Sequence, residues 1–304
     1  MHTAYLFPGQ GSQTPGMARD LYDAFAEARA RLDDANAILG FDLTGAMFGD
    51  DAEALRATDI TQPALYAHSL AAMAVLEARR DFPHAVAGHS LGEYSALAAA
   101  GALSFEDGLR LVRLRGQLMA EAGTERPGTM AALLGADDAK AEALCAAVST
   151  ADAVVVPANY NSPGQIVVSG DVAAVEAAAA RAAEFGAKKA VLLTVSGAFH
   201  SPLMQPAADR LGAALAKAEI RTPRCPVYLN VTAAPTTDPD EIRTRLLEQL
   251  TSPVRWAQTL TAMHGSGIGR FVEVGTGNVL SGLVKRTLGR DVETVQRGTV
   301  ADFG

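Results

Sequence analysis

Cysteine is nearly absent: Cys145 and Cys225 are the only two in 304 residues. Two isolated thiols exclude a disulfide framework and a cysteine-rich zinc site, and they fit a reducing compartment. Basic residues are in the minority, 26 Lys and Arg against 34 Asp and Glu, for a formal net charge of −8. Global attraction to nucleic acid or to an anionic membrane is thereby excluded, so an acidic partner would have to meet a local basic patch. No apolar run approaches the roughly 18 residues of a membrane span, and the opening MHTAYLFPGQ has neither a basic leader nor an export-length apolar stretch. The expectation is a soluble, cytoplasmic protein with no membrane or nucleic-acid partner. The six histidines stand singly, without an HExxH or a pair at ligand spacing, so no metal is expected. GxxxxGK[ST] is missing too; GQGSQT at 9–14 and GTGNVL at 275–280 begin like dinucleotide loops but carry Thr14 and Leu280 where the third glycine belongs.

What is present is apolar: 49% of residues are hydrophobic and only 20% charged, enough for one large folded unit, alone or with a smaller insert. Helical periodicity recurs at about 17–40, 62–80, 91–101, 105–122, 202–217, 239–250, 254–266 and 278–288. Between these lie AYLF (4–7), HAVAG (84–88), PVYLNV (226–231) and RFVEVG (270–275), too short for helices and bounded by Gly or Pro. Strands alternating with helices predict an α/β fold with a mostly parallel sheet covered on both faces. From residue 128 the pattern changes to β-α-β-β-α-β: MAALLG, DDAKAEALCAAV, AVVVPANY, QIVVSG, DVAAVEAAAARAAEFG (capped by Asp171 and ended by Gly186) and AKKAVLLTV. This is the split βαβ, ferredoxin-like order. It predicts an inserted small subdomain at 127–195 within a large subdomain made of 1–126 and 196–304.

One short stretch carries chemistry. VAGHSLGEYS at 86–95 places G88-x-S90-x-G92 between a strand and a helix, the arrangement of a nucleophile elbow. The turn needs flanks without Cβ so that strand and helix pack closely around a strained serine. It also puts Ser90 at the positive end of a helix dipole, where the Leu91 N–H can face a developing oxyanion. The plainer alternative is that Ser90 only caps the helix. A serine hydroxyl near neutral pH needs a base within hydrogen-bond reach. His2 is terminal, His68 and His264 fall in helical patterns, His84 lies behind the serine and His89 is its immediate neighbour. His200 remains, at a loop-to-helix junction in which Ser201 and Pro202 suit the N-cap and N1 positions.

The motifs LFPGQGSQTPGM, TQPAL (61–65), GHSLGEYSAL (88–97), RLRGQLM (113–119), NYNSPGQIVVSG (159–170), GAFHSPLM (197–204) and VEVGTGNVLSGLVKR (272–286) follow one another along nearly the whole chain. In this the sequence resembles the malonyl-CoA:acyl carrier protein transacylases. The resemblance implies an α/β-hydrolase-like large subdomain and a ferredoxin-like small one. It implies Ser90 as the acyl-carrying nucleophile, His200 as its base and acid, and the N–H groups of Gln10 and Leu91 as oxyanion donors. It further implies that a main-chain carbonyl in QLTSPV, Gln249 first, orients the histidine in place of a carboxylate. Arg115 would hold the malonyl carboxylate, and Phe199 would wall off the space of an α-methyl group, with Leu91 in agreement. Arg110 and Arg113 read as solvated helix charges, while Asn159, Asn161 and Gln62 line or brace the cleft.

The implied reaction is ping-pong transfer of malonyl from coenzyme A to the phosphopantetheine thiol of an acidic acyl carrier protein, by a monomer with no permanently bound cofactor. Fatty acid synthesis is the expected pathway and freestanding polyketide supply the alternative; a serine esterase or thioesterase would keep Ser90 and His200 but give no reason for Arg115. Carrier docking would use a basic patch, for which Lys188, Lys189, Lys285 and Arg286 are candidates.

Overall fold

The computed structural model describes residues 2–304. Its strands are β1 (His2–Phe7), β2 (Ala85–Gly88), β3 (Gly128–Leu134), β4 (Val155–Ser162), β5 (Gln165–Asp171), β6 (Lys189–Leu192), β7 (Val227–Tyr228), β8 (Pro235–Thr236), β9 (Ile268–Val274) and β10 (Glu293–Arg297). One sheet has the order β10-β9-β1-β2-β7-β8, parallel except for β8. Ala4–Phe7 of β1 and all of β2 are buried, which explains why these central strands read as unbroken apolar runs. β1, β2 and β9 run side by side and end at the loops PGQG, GHSLG and GTG, so these loops gather at the carboxyl edge of the sheet, where α/β folds place their sites.

The second sheet has the order β4-β5-β3-β6 and is antiparallel throughout. The helices Asp138–Val148 and Val172–Arg181 pack on it around a separate core that includes Leu133, Leu144, Val168 and Val175. Its strand order is the ferredoxin-like one, and we propose 127–195 as the extent of the insert. The peptide of Val254 ties it to the large unit: its N–H donates to the Ala158 carbonyl and its carbonyl accepts from Tyr160.

Several elements depart from the sequence reading, each for a local reason. The expected helix 17–40 is two, Arg19–Ala24 and Ala26–Leu39, because Phe25 between them is extended at φ −122°. Two short helices, Leu43–Phe48 and Ala52–Arg56, start on the carboxylate caps of Asp42 and Asp51. The next helix begins at Thr58, four residues before the expected start at 62, and carries Pro63 inside it. Pro63 has no N–H for the Asp59 carbonyl one turn back, and Arg113 supplies that bond. Arg113 is thus not a solvated charge: it also pairs with the Asp59 carboxylate at 2.8 Å, while Arg110 is exposed and pairs with Glu106. Asp171 does not cap through its side chain; its carboxylate accepts from Arg126 and from the Val154 N–H. β10, polar and half-buried at the sheet edge, gave no apolar signal.

Candidate active site

The elbow is built by close approach. A Cβ on Gly88 would lie 1.8 Å from the backbone of Gly92, and one on Gly92 would lie 2.0 Å from the Phe7 carbonyl oxygen. Only glycine fits either place. Between them Ser90 takes φ +53°, the left-handed region that costs a non-glycine residue of order 1–3 kcal/mol. Two side-chain amides hold it there. Asn230 Oδ1 accepts the Ser90 N–H at 2.7 Å while its Nδ2 donates to the Gly88 carbonyl at 2.7 Å, and Gln249 Nε2 donates to the Ser90 carbonyl at 3.1 Å. The Asn230 N–H in turn donates to Glu93 Oε2 at 2.7 Å.

Ser90 Oγ stands 2.7 Å from His200 Nε2. The other ring nitrogen, Nδ1, faces the main-chain carbonyls of Gln249 at 2.9 Å and Ser252 at 3.2 Å. Carbonyls only accept, so Nδ1 carries the proton and Nε2 presents its lone pair to the serine hydroxyl. Burial, and after it the charge of Arg115, hold the imidazole's pKa down to about 3. The ring is therefore neutral across the working range. Ser201 Oγ accepts the Leu203 N–H and Pro202 follows it, a capped turn that fixes the approach of His200.

Arg115 comes from the long helix Phe105–Glu125, which packs closely at Gly116: a Cβ there would lie 2.6 Å from the Thr58 carbonyl oxygen. Its guanidinium is 1% exposed. Nη1 donates to Gln62 Oε1 at 2.9 Å, and Nη2 donates to Gln249 Oε1 and to Ser90 Oγ, both at 3.1 Å. The Tyr94 ring lies 5.7 Å from the guanidinium carbon. Every hydrogen-bond partner is neutral. A buried guanidinium with neutral partners has the charge and the planar donors that pair well with a carboxylate.

A cavity of about 220 Å³ opens at this point. Of the residues singled out from sequence, Gln10, Ser90, Leu91, Arg115, Asn159, Asn161, Phe199 and His200 line it. Asn161 Oδ1 accepts from His89 Nε2 at 2.8 Å, linking the insert to the elbow. Gln62 does not line the cavity and is not placed to bind substrate; fully buried, it braces Arg115 and directs its Nε2 to Met119 Sδ at 3.2 Å. Gln249 also lies behind the wall, with its carbonyl on His200 and its side chain on Arg115 and Ser90. Arg286 reaches the wall and donates to Gln165 Oε1 at 2.8 Å, whereas Lys188, Lys189 and Lys285 stand outside it.

Sequence reasoning missed Asn230 and Glu93, and weighed His89 only as a base. Asn230 had a faint signal, a polar residue ending the apolar run PVYLNV. Glu93 had a clearer one, the single charge in an otherwise apolar stretch from Leu91 to Leu103. Among the described residues no cluster of three or more His, Cys, Asp or Glu could hold a metal ion, and no helix is long and apolar enough to cross a membrane.

A parallel α/β sheet with a strained serine at its carboxyl edge, an imidazole on that serine and a ferredoxin-like insert over the cleft define a serine-dependent acyl-transfer class of protein. The acyl transferase domain model matches residues 4–302. The malonyl CoA-acyl carrier protein transacylase of Staphylococcus aureus (strain MRSA252) is 43% identical over 300 residues, 99% of this chain and 96% of the relative. That of Bacillus subtilis (strain 168) is 44% identical over 292 residues, 96% of this chain and 92% of the relative. Among solved structures, an acyl carrier protein S-malonyltransferase from Vibrio cholerae superimposes with a TM-score of 0.94 at 42% identity, covering 100% of this chain and 99% of that one. A malonyl-transacylase solved in complex with a type II PKS acyl-carrier protein gives 0.95 at 40% identity, covering 99% and 97%. The chain belongs to the acyl transferase family, and within it to the malonyl-CoA:acyl carrier protein transacylases.

Proposed function

We propose that this protein transfers malonyl groups from malonyl-CoA to the phosphopantetheine thiol of an acyl carrier protein, through a malonyl ester on Ser90, in fatty acid synthesis. One observation carries the substrate class: the buried Arg115, whose partners are all neutral, 3.1 Å from the nucleophile. A free carboxylate is expensive to desolvate unless a guanidinium meets it, and a plain ester hydrolase has no use for this arrangement. In the proposed cycle His200 Nε2 takes the Ser90 proton as Oγ attacks the thioester carbonyl, and the N–H groups of Gln10 and Leu91 receive the oxyanion. The imidazolium then protonates the departing coenzyme A thiolate. The carrier thiol, deprotonated by the same histidine, collects the acyl group by the reverse path.

Brief exposure to malonyl-CoA followed by intact-mass measurement tests this. One malonyl group should appear on the wild-type chain and none on Ser90→Ala. Rapid loss of that adduct to water without any thiol would instead indicate a hydrolase.

Phe199 is buried in the cavity wall two residues after Gly197, and we propose it as the gate against an α-methyl branch. Phe199→Ser should raise the ratio of methylmalonyl to malonyl transfer, measured by competition between the two thioesters. An unchanged ratio would remove Phe199 from that role.

For the carrier we propose docking on the helix Val279–Leu288, whose Arg286 reaches the cleft and whose Lys285 precedes it in the last turn. Reversing both charges should raise the apparent KM for an acidic carrier protein, and the effect should shrink as salt is added. We further propose that the protein acts as a cytoplasmic monomer.

A further inference from the structure

A buried guanidinium surrounded by neutral partners is costly unless an opposite charge lies close by. Glu93 supplies one. Its carboxylate is fully buried in the first turn of the helix Gly92–Ala99, Oε2 accepts the Asn230 N–H at 2.7 Å, and Oε1 has no protein partner. Tyr94, the next residue, lies against the Arg115 guanidinium. The Gln249 side chain accepts from Arg115 through Oε1 and donates through Nε2 to the Ser90 carbonyl, on the same turn as Glu93. When Glu93 is ionised, its charge behind the cavity wall offsets that of Arg115 on it.

We propose that Glu93 is the resident counter-charge of Arg115, a positioning residue that surrenders its charge by taking up a proton from solvent when the carboxylate of a malonyl-type acyl group arrives. The inference rests on the reading of Arg115 as the carboxylate clamp. Two buried carboxylates near one guanidinium cannot both stay ionised cheaply, so one must become neutral. The incoming carboxylate takes the direct hydrogen bonds, and Glu93 is the one that yields. Burial has already pushed its pKa up to about 7. The other titratable groups around it are shifted away from neutral pH: burial lifts the Tyr94 phenol to about 12, holds His200 at about 3 and lowers His89 on the elbow. Asn230 and Gln249, from the segments packed on the remaining sides, do not titrate.

The test uses Ser90→Ala, which can bind acyl-CoA without turnover, in weakly buffered solution with a pH indicator and by calorimetry in buffers of different ionisation enthalpy. Near pH 8, malonyl-CoA should draw up to one proton per site and acetyl-CoA none. Malonyl-CoA affinity should fall by about tenfold per pH unit above the Glu93 titration, the slope of one linked proton. In Ser90→Ala/Glu93→Gln both the uptake and the slope should vanish, with acetyl-CoA binding unmoved. Should that variant fail to fold, Glu93→Asp in its place should shift the midpoint of the slope. Selective malonyl-CoA binding without proton uptake, or uptake that persists in the Glu93→Gln background, would overturn the proposal while leaving the clamp intact. Equal binding of malonyl-CoA and acetyl-CoA would instead remove the clamp itself.

Discussion

Replacing His200 with alanine should lower the rate of Ser90 acylation by roughly 10²–10⁴-fold, the usual worth of a positioned general base. No second base can take over. His89, the adjacent histidine, spends Nε2 on Asn161, and Glu93 is buried and bound to the Asn230 backbone N–H. The pH profile gives an independent check. His200 must be neutral to accept the serine proton, and its pKa is held near 3, so the acid limb of wild-type acylation should lie far below the usual histidine range. Stopped-flow acylation by malonyl-CoA from pH 4 to 8 should therefore show no acid limb in the histidine range. A limb centred near 6.5 would mean that the imidazole titrates as if exposed, contrary to its burial.

The second large effect belongs to Arg115. Arg115→Ala removes two or more charge-assisted hydrogen bonds to the malonyl carboxylate, each worth roughly 1.5–3 kcal/mol, for a fall in kcat/KM of about 10²–10⁴. Acetyl transfer should not share the loss. The guanidinium is the second cause, after burial, of the low basicity of His200, and its Nη2 donates to Ser90 Oγ. Its removal frees a lone pair on the nucleophile and moves the acid limb upward in pH, so the acetyl rate should hold or rise. Parallel kinetics with both thioesters decide the matter: equal losses would show that Arg115 supports the fold and not the carboxylate.

The elbow was legible because its requirements are local. Gly88 and Gly92 sit two residues either side of Ser90, and the contacts that forbid a Cβ arise within that one turn and its neighbouring strand. The insert was legible because its strands and helices follow a characteristic order, confirmed by the antiparallel arrangement β4-β5-β3-β6. His200 could be reached by elimination among six histidines, but the particular interest of Arg115 came from family resemblance, since Arg110 and Arg113 occupy the same helix and composition does not separate them. The side-chain braces on Ser90 were hidden for another reason, although the resemblance names Gln249 for its main-chain carbonyl. Asn230 meets Ser90 across 140 positions and Gln249 meets it across 159, so nothing near the serine announces them. The first turn of the helix Thr58–Ala78 was hidden because the donor that Pro63 lacks is made good by Arg113, a compensation visible only once two distant helices are packed.

The histidine's support has a wider consequence. Gln249 closes the helix Pro239–Gln249, so the oxygen behind the imidazole belongs to a helix terminus carrying roughly half a negative charge. A fractional, permanently unprotonated anchor steadies the ring when it becomes cationic, yet repels a dianionic or monoanionic guest far less than an aspartate would. A catalytic apparatus of this kind trades some basicity for tolerance of acidic cargo.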